Sequence, residues 1–194
     1  MSLASPKSHE PRAIIADFGH RLPRAVEETP FTLFVCGPSP QTKSQSAILR
    51  RYVSTEIKKS ISGVTVVWGE HRDFRGQVGD IRLRKFNDVT KELHFAHNQS
   101  DLVVIFPDSP GSFVELGIFG MNARVCGQLV IVFDIRHKNR KSFVIDAMGK
   151  AARNLNATIK FVKYRNRRLV LRQIEILVRK KQEAKYNSNS YVSR

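Results

Sequence analysis

The chain has 194 residues, is 41% hydrophobic and carries a formal net charge of +16. That apolar content supports a full core; no apolar run is long enough for a membrane span, and the N-terminus lacks the apolar stretch of a secretory leader. Two cysteines, Cys36 and Cys126, with no C-x-x-C, argue against a disulfide framework or a thiolate zinc site and fit a reducing, cytoplasmic setting.

Residues 1–30 form an arm. Ile14, Ile15, Phe18 and Leu22 fit one face of a short helix ending near Pro23, and residues 24–30 read as a linker. Phe31 to Cys36 is the first strand, left through Gly37-Pro38-Ser39-Pro40. This turn lacks the glycine spacing of a dinucleotide fingerprint and the lysine of a P-loop. A helix follows, with Ile48, Leu49, Tyr52, Val53 and Ile57 at helical spacing. Val64 to Trp68 is the second strand, and Glu70 follows at its C-terminal end. The polar stretch 74–84 is long enough to fold over a site there. His94 and His97, on a helix over about 86–98, read as helix-face histidines, since a metal needs further convergent ligands.

Leu102 to Phe106 is an unbroken apolar run, the mark of a strand buried on both faces of a parallel sheet. It breaks at Pro107-Asp108-Ser109-Pro110-Gly111, and a helix starts at Ser112. Ser112-x-x-Glu115 has the form of a capping box, with Ser112 as N-cap and Glu115 reaching back from the first turn. The S-P-G turn favours positive φ at Gly111. Gly117 and Gly120 lie inside the helix at a cost of about 1 kcal/mol each, which close packing would offset. Gln128 to Asp134 is the fourth strand. Ser142 suits the N-cap of a helix running through Leu155, and Thr158 to Val162 is the fifth strand. A basic helix follows from about Arg168, with Leu169, Ile174, Leu177 and Val178 inward, and 186–194 reads as a flexible tail.

Five strands alternating with helices predict an open parallel sheet with helices on both faces, of the flavodoxin or Rossmann type, over residues 31–163. Residues 164–194 add the basic helix and tail. Right-handed crossovers bring the loops at 37–40, 69–73 and 107–112 to one edge. There Glu115 is the candidate catalytic carboxylate, and Gly37, Ser39, Glu70, Asp108, Ser109, Gly111 and Ser112 are candidates for holding substrate oxygens. Residues 101–135 carry Arg124 against Asp101, Asp108, Glu115 and Asp134, a net −3, whereas 136–185 carry 16 Lys/Arg against three acids, a net +13. Arg165, Arg167, Arg168, Arg172, Arg179, Lys180 and Lys181 are therefore candidates for contact with nucleic acid or another polyanionic partner.

The run from Ile105 through Ser109-Pro110-Gly111-Ser112-Phe113-Val114-Glu115-Leu116-Gly117 to Phe119 resembles the nucleoside 2-deoxyribosyltransferase-like domain of retron-associated antiphage effectors. Phe34-Val35-Cys36-Gly37 and Arg140-Lys141-Ser142-Phe143 match the same group. The resemblance implies that Glu115 acts at C1′ while an N-glycosidic bond breaks. It implies NAD or a related nucleotide as substrate, with no cofactor beyond it and no metal. It further implies a toxic antiphage role restrained by a reverse transcriptase with its RNA–DNA hybrid, in a homo-oligomer or larger assembly. Gly37-Pro38-Ser39-Pro40 does not reproduce the tyrosine and carboxylates of true deoxyribosyltransferases, which points away from free nucleoside transfer. Two other readings use the same residues: a non-catalytic nucleotide sensor, and a nucleic-acid-binding protein on an α/β scaffold.

Overall fold

The computed structural model describes residues 22–70, 87–139 and 142–192. Five strands form one parallel sheet: β1 (Phe31–Cys36), β2 (Val64–Val67), β3 (Leu102–Ile105), β4 (Leu129–Asp134) and β5 (Thr158–Val162). All four pairings are parallel, and the spatial order is β2-β1-β3-β4-β5. The expected α/β fold is therefore present. β1 and β3 pair in register from Leu33 opposite Leu102 to Cys36 opposite Ile105. The chain leaves β1 toward β2 on one side and returns to β3 on the other. That reversal opens a crevice beyond the C-terminal ends of β1 and β3.

Helices cover both faces. Alternate residues of each central strand point to opposite sides, so the sheet separates two apolar layers. On one face α1 (Gln45–Ser60) and the C-terminal helix α6 (Arg167–Val192) pack Leu49, Val53, Ile57, Val170, Ile174 and Val178 against Leu33, Val35 and Val104. On the other, α2 (Asp88–Asn98), α3 (Pro110–Gly120), the short α4 (Ala123–Cys126) and α5 (Lys150–Asn154) pack Phe95, Leu116, Phe119, Val125 and Ala152 against Phe34, Val103 and Ile131. Gly117 and Gly120 allow that packing: a Cβ at Gly117 would lie 2.7 Å from the Met148 methyl, and one at Gly120 would lie 3.2 Å from Ala152 Cβ.

Several boundaries differ from the sequence reading. Residues 22–27 are helical, where a linker was expected. The segment before α5 is a π-helix, Val144–Gly149, and Ser142 Oγ accepts the Ile145 N–H at its start. α6 continues to Val192, so 186–192 is helix rather than tail. Its buried stripe is Val170, Ile174, Val178 and Gln182, and Leu169 is exposed. The stripe steps by four residues, which turns Leu169 off the sheet. Gln182 Nε2 donates to the carbonyls of Glu27, Thr29 and Ser62, tying α6 to the entry of β1. The expected flap at 74–84 lies outside the described residues, as do Ile14, Ile15 and Phe18 of the arm, and Arg140 and Lys141. No helix among the described residues is long and apolar enough to cross a membrane.

Candidate active site

The crevice starts from a glycine that the backbone requires. Gly37 follows β1 with φ +144°, and a Cβ there would lie 3.0 Å from the Phe106 carbonyl oxygen. Only glycine lets the exit of β1 lie this close to the exit of β3. Gly111, where positive φ was expected, has ordinary φ and open space around it. It is the second residue of α3, and the turn before it is shaped by Pro110 at the first helical position.

That placement changes the reading of Glu115. The N-cap of α3 is Ser109, not Ser112. Ser109 Oγ accepts the Ser112 N–H, and Ser112 Oγ accepts the Ser109 N–H at 2.8 Å and the Asp108 N–H at 3.0 Å. The capping box is thus Ser109-x-x-Ser112, and Glu115 lies in the second turn with no capping duty. Both serine hydroxyls, proposed from sequence as substrate contacts, are spent on the cap, and Ser112 is buried. Asp108 accepts a 2.6 Å hydrogen bond from Ser46 Oγ on α1. Ser39 is exposed, and its hydroxyl accepts the Gln41 N–H.

Glu115 extends instead toward Gly37, close enough for the Gly37 backbone N–H to favour its charged form. Its Oε2 is fully shielded and has no hydrogen-bond partner among the described residues. Burial raises its pKa to about 8, Glu92 and Glu70 push the same way, and the Arg50 guanidinium and the Gly37 N–H oppose them. Glu92, on α2, is raised to about 7, chiefly by burial and then by Glu70 and Asp88. A Cβ on Gly69 would collide with Glu92 Oε1, so Gly69 leaves the space that carboxyl group occupies. Interacting carboxylates of this kind lose their protons in steps that belong to the pair. Both shifts favour retention of a proton by the pair near neutral pH.

Arg50 holds the floor. Its side chain is 1% exposed. Nε and Nη2 donate to Val35 O, Nη1 donates to Gly37 O and Pro38 O, and both Nη atoms reach Glu70 at 2.8 Å. The guanidinium also sits 5.6 Å from the centre of the Trp68 ring. Glu70, a sequence candidate for substrate contact, is therefore the counter-ion of a buried arginine. Cys36 lies beside the same crevice, where burial and then the Glu115 charge push its thiol pKa well up, which disfavours the thiolate. Beside the same turn, a cavity of about 220 Å³ opens between Asp108, Phe113, His137 and Ser142.

The structure thus brings Gly37, Glu70 and Glu115 together and adds two residues the sequence reading did not single out. Arg50 shares a helical stripe with the buried Ser46, Val53 and Ile57, and Glu92 stands three and four residues before the buried Phe95 and Ala96. A charged residue on a buried helix face was the available signal for both. His94 bonds Asn98 through its ring, and no cluster of three or more metal-ligating side chains occurs among the described residues.

The basic end divides into two kinds of residue. Arg179 pairs with Glu27 and donates to Ser60 O, and Lys181 donates to Gly127 O. These two, expected to face a partner, are engaged with the fold itself. The side chains of Arg165, Arg167, Arg168, Arg172 and Lys180 are exposed and have no ion pair or hydrogen bond among the described residues.

Fold and crevice define an open parallel α/β protein with a buried carboxylate pair at the switch point of its sheet. Residues 45–194 match the family model described as STM3845 retron effector protein, and the chain belongs to that family. It is also 35% identical over 57 residues to the "Retron Ec86 putative ribosyltransferase/DNA-binding protein" of Escherichia coli. That match covers 29% of this chain and 19% of the relative.

Proposed function

We propose that this retron effector is an N-glycosidase that cleaves NAD or a related nucleotide in antiphage defence, with Glu115 as the carboxylate acting at C1′. The observation that carries this reading is the unpartnered, buried Oε2 of Glu115, in a helix whose capping needs Ser109 and Ser112 already meet. Burying a carboxylate without partners costs stability, and residues that do so cluster at functional sites. As the C1′–N bond breaks, its electron pair leaves with the base and positive charge develops on the sugar. A carboxylate beside C1′ either stabilises that charge or bonds to it, and water then completes the hydrolysis.

Glu92 supplies the second role. When the pair holds one proton, one carboxylate faces the sugar and one carboxylic acid remains to protonate a departing base; the carboxylate this leaves then takes the proton of the attacking water. Nicotinamide leaves as a neutral molecule from a cationic one and requires no donated proton. The ribosyltransferase wording in the relative's name agrees with glycosidic chemistry. We also propose that the exposed, unpaired Arg167, Arg168 and Arg172 meet a nucleic-acid-bearing partner, with a reverse transcriptase and its RNA–DNA hybrid the expected one for a retron effector.

Incubation of the protein, alone and with its retron partner, with NAD and with purine nucleotides tests the activity by release of nicotinamide or free base. Release abolished by Glu115→Gln supports it. Nucleotide binding without base release under both conditions would leave a sensor in place of an enzyme.

A further inference from the structure

A larger cavity lies on the same strand-end edge, away from Glu115. It measures about 410 Å³ and opens between the ends of β4 and β5, lined by Asp134, Arg136, Lys163, Tyr164 and Arg165, with Gln45 closing it from α1. Three cations face one carboxylate. Asp134 holds Arg136 through bonds of 3.1 and 3.2 Å, and these bonds lower the Asp134 pKa against the opposing effect of burial. The side chains of Lys163 and Arg165 are left exposed with no ion pair or hydrogen bond among the described residues. Gln45 is the first residue of a 16-residue helix with no acid in its first turn, so the positive end of that helix adds to the same field.

The wall is fixed. Tyr164, between the two free cations, is buried, donates its hydroxyl to Val132 O at 2.6 Å and packs edge-on against Phe106. The backbone carrying Lys163 and Arg165 is therefore anchored to the sheet. Asp108, at the turn before α3, is close enough to raise the pKa of both Arg136 and Tyr164. Cavity and crevice are thus neighbours on one edge: β3 and β5 are two strand spacings apart, roughly 10 Å.

We propose that this cavity binds the diphosphate or triphosphate of a nucleotide. The proposal rests on the reading of the neighbouring crevice as a nucleotide site, and it makes the substrate a phosphorylated nucleotide rather than a free nucleoside. A cavity of this size suits a short polyphosphate, whereas a continuous nucleic-acid backbone is better met by the exposed side chains along the start of α6.

The probe is inorganic pyrophosphate, titrated calorimetrically into the wild type, Glu115→Gln and the double variant Lys163→Ala/Arg165→Ala. Both side chains of the double variant are exposed, and cooperative unfolding verifies its fold. Wild type and Glu115→Gln are expected to bind alike, and the double variant roughly 30-fold or more weakly, since it lacks two charge-assisted hydrogen bonds. A nucleoside triphosphate should show the same weakening, while a single-stranded oligonucleotide should not. Absence of pyrophosphate binding to the wild type, equal binding by the double variant, or a weakening confined to the oligonucleotide each overturns the proposal. Pyrophosphate binding in a protein that releases no base would uphold the cavity and reject the catalytic role of Glu115, so the two failures are separable.

Discussion

Among the described residues, Glu115 holds a buried carboxylate oxygen without a partner, and burial raises the pKa of Glu92 beside it, whereas the side chains of Arg167, Arg168 and Arg172 stand in solvent at the start of α6 with no partner and at little cost. The first arrangement destabilises the fold and persists only because Arg50, Gly37 and Gly69 shape a place for it. The second is nearly free, since exposed charges are screened by water and salt. In the proposed reading, the costly placement serves chemistry and the cheap one meets a partner. Each half of that contrast can be broken separately.

The largest effect falls on turnover. Glu115→Gln keeps size and removes charge, and base release should fall by about 10³-fold or more, measured by product chromatography. Near wild-type release would end the catalytic assignment. Next in size is the floor. Arg50→Met strands the Val35, Gly37 and Pro38 carbonyls and the Glu70 carboxylate, so urea unfolding should show a loss of about 3–5 kcal/mol. A loss under about 1 kcal/mol would show that Arg50 does not organise the crevice.

A smaller effect has a diagnostic sign. The folded pKa of Glu115, about 8, exceeds the ordinary value of 4.5. The folded state therefore holds a proton that the unfolded chain has released, and stability falls as pH rises from about 4.5 to about 8. Glu115→Gln removes this burden. Denaturant unfolding should show the variant more stable than wild type at pH 8, by on the order of 2 kcal/mol, with the gain vanishing near pH 5. A capping carboxylate would show the reverse, a loss at pH 8.

The smallest effects concern the basic end. Replacing Arg167, Arg168 and Arg172 by glutamate should flatten the slope of log affinity against log salt for an RNA–DNA hybrid, by about 0.7–0.9 for each phosphate no longer neutralised. Arg179→Glu should instead cost stability of ~0–1 kcal/mol through Glu27, with little change in that slope. Equal slopes for all variants would make the whole face a solvated surface.

Much of the architecture was legible because a central parallel strand has no polar face. Leu102 to Phe106 and Leu129 to Phe133 are continuous apolar runs, and such runs admit few alternatives. The N-cap of α3 was misplaced because Ser109 and Ser112 stand three residues apart, so S-x-x-S and S-x-x-E both fit. Pro110 at the first helical position decides for Ser109. Ion pairs were not legible at all: Arg179 meets Glu27 across 152 positions, and Lys185 meets Asp101 across 84. No local pattern announces such partners. The crevice was half legible, since Glu115 and Gly37 lie at strand ends where ligands are expected. Arg50 and Glu92 sit inside helices, where only an ion on a buried face gives them away.

The pH dependence of base release tests the central claim most directly, because it reads the carboxylate pair at work. Measured as kcat/KM from about pH 6 to pH 10, release should rise near pH 7 as the pair loses its first proton, the second being held until about pH 8. For a purine nucleotide, whose base needs a proton to leave, it should fall again as the second is lost; for NAD the upper limb should stay flat. A profile without the rising limb, or one unchanged in Glu115→Gln, would contradict the account.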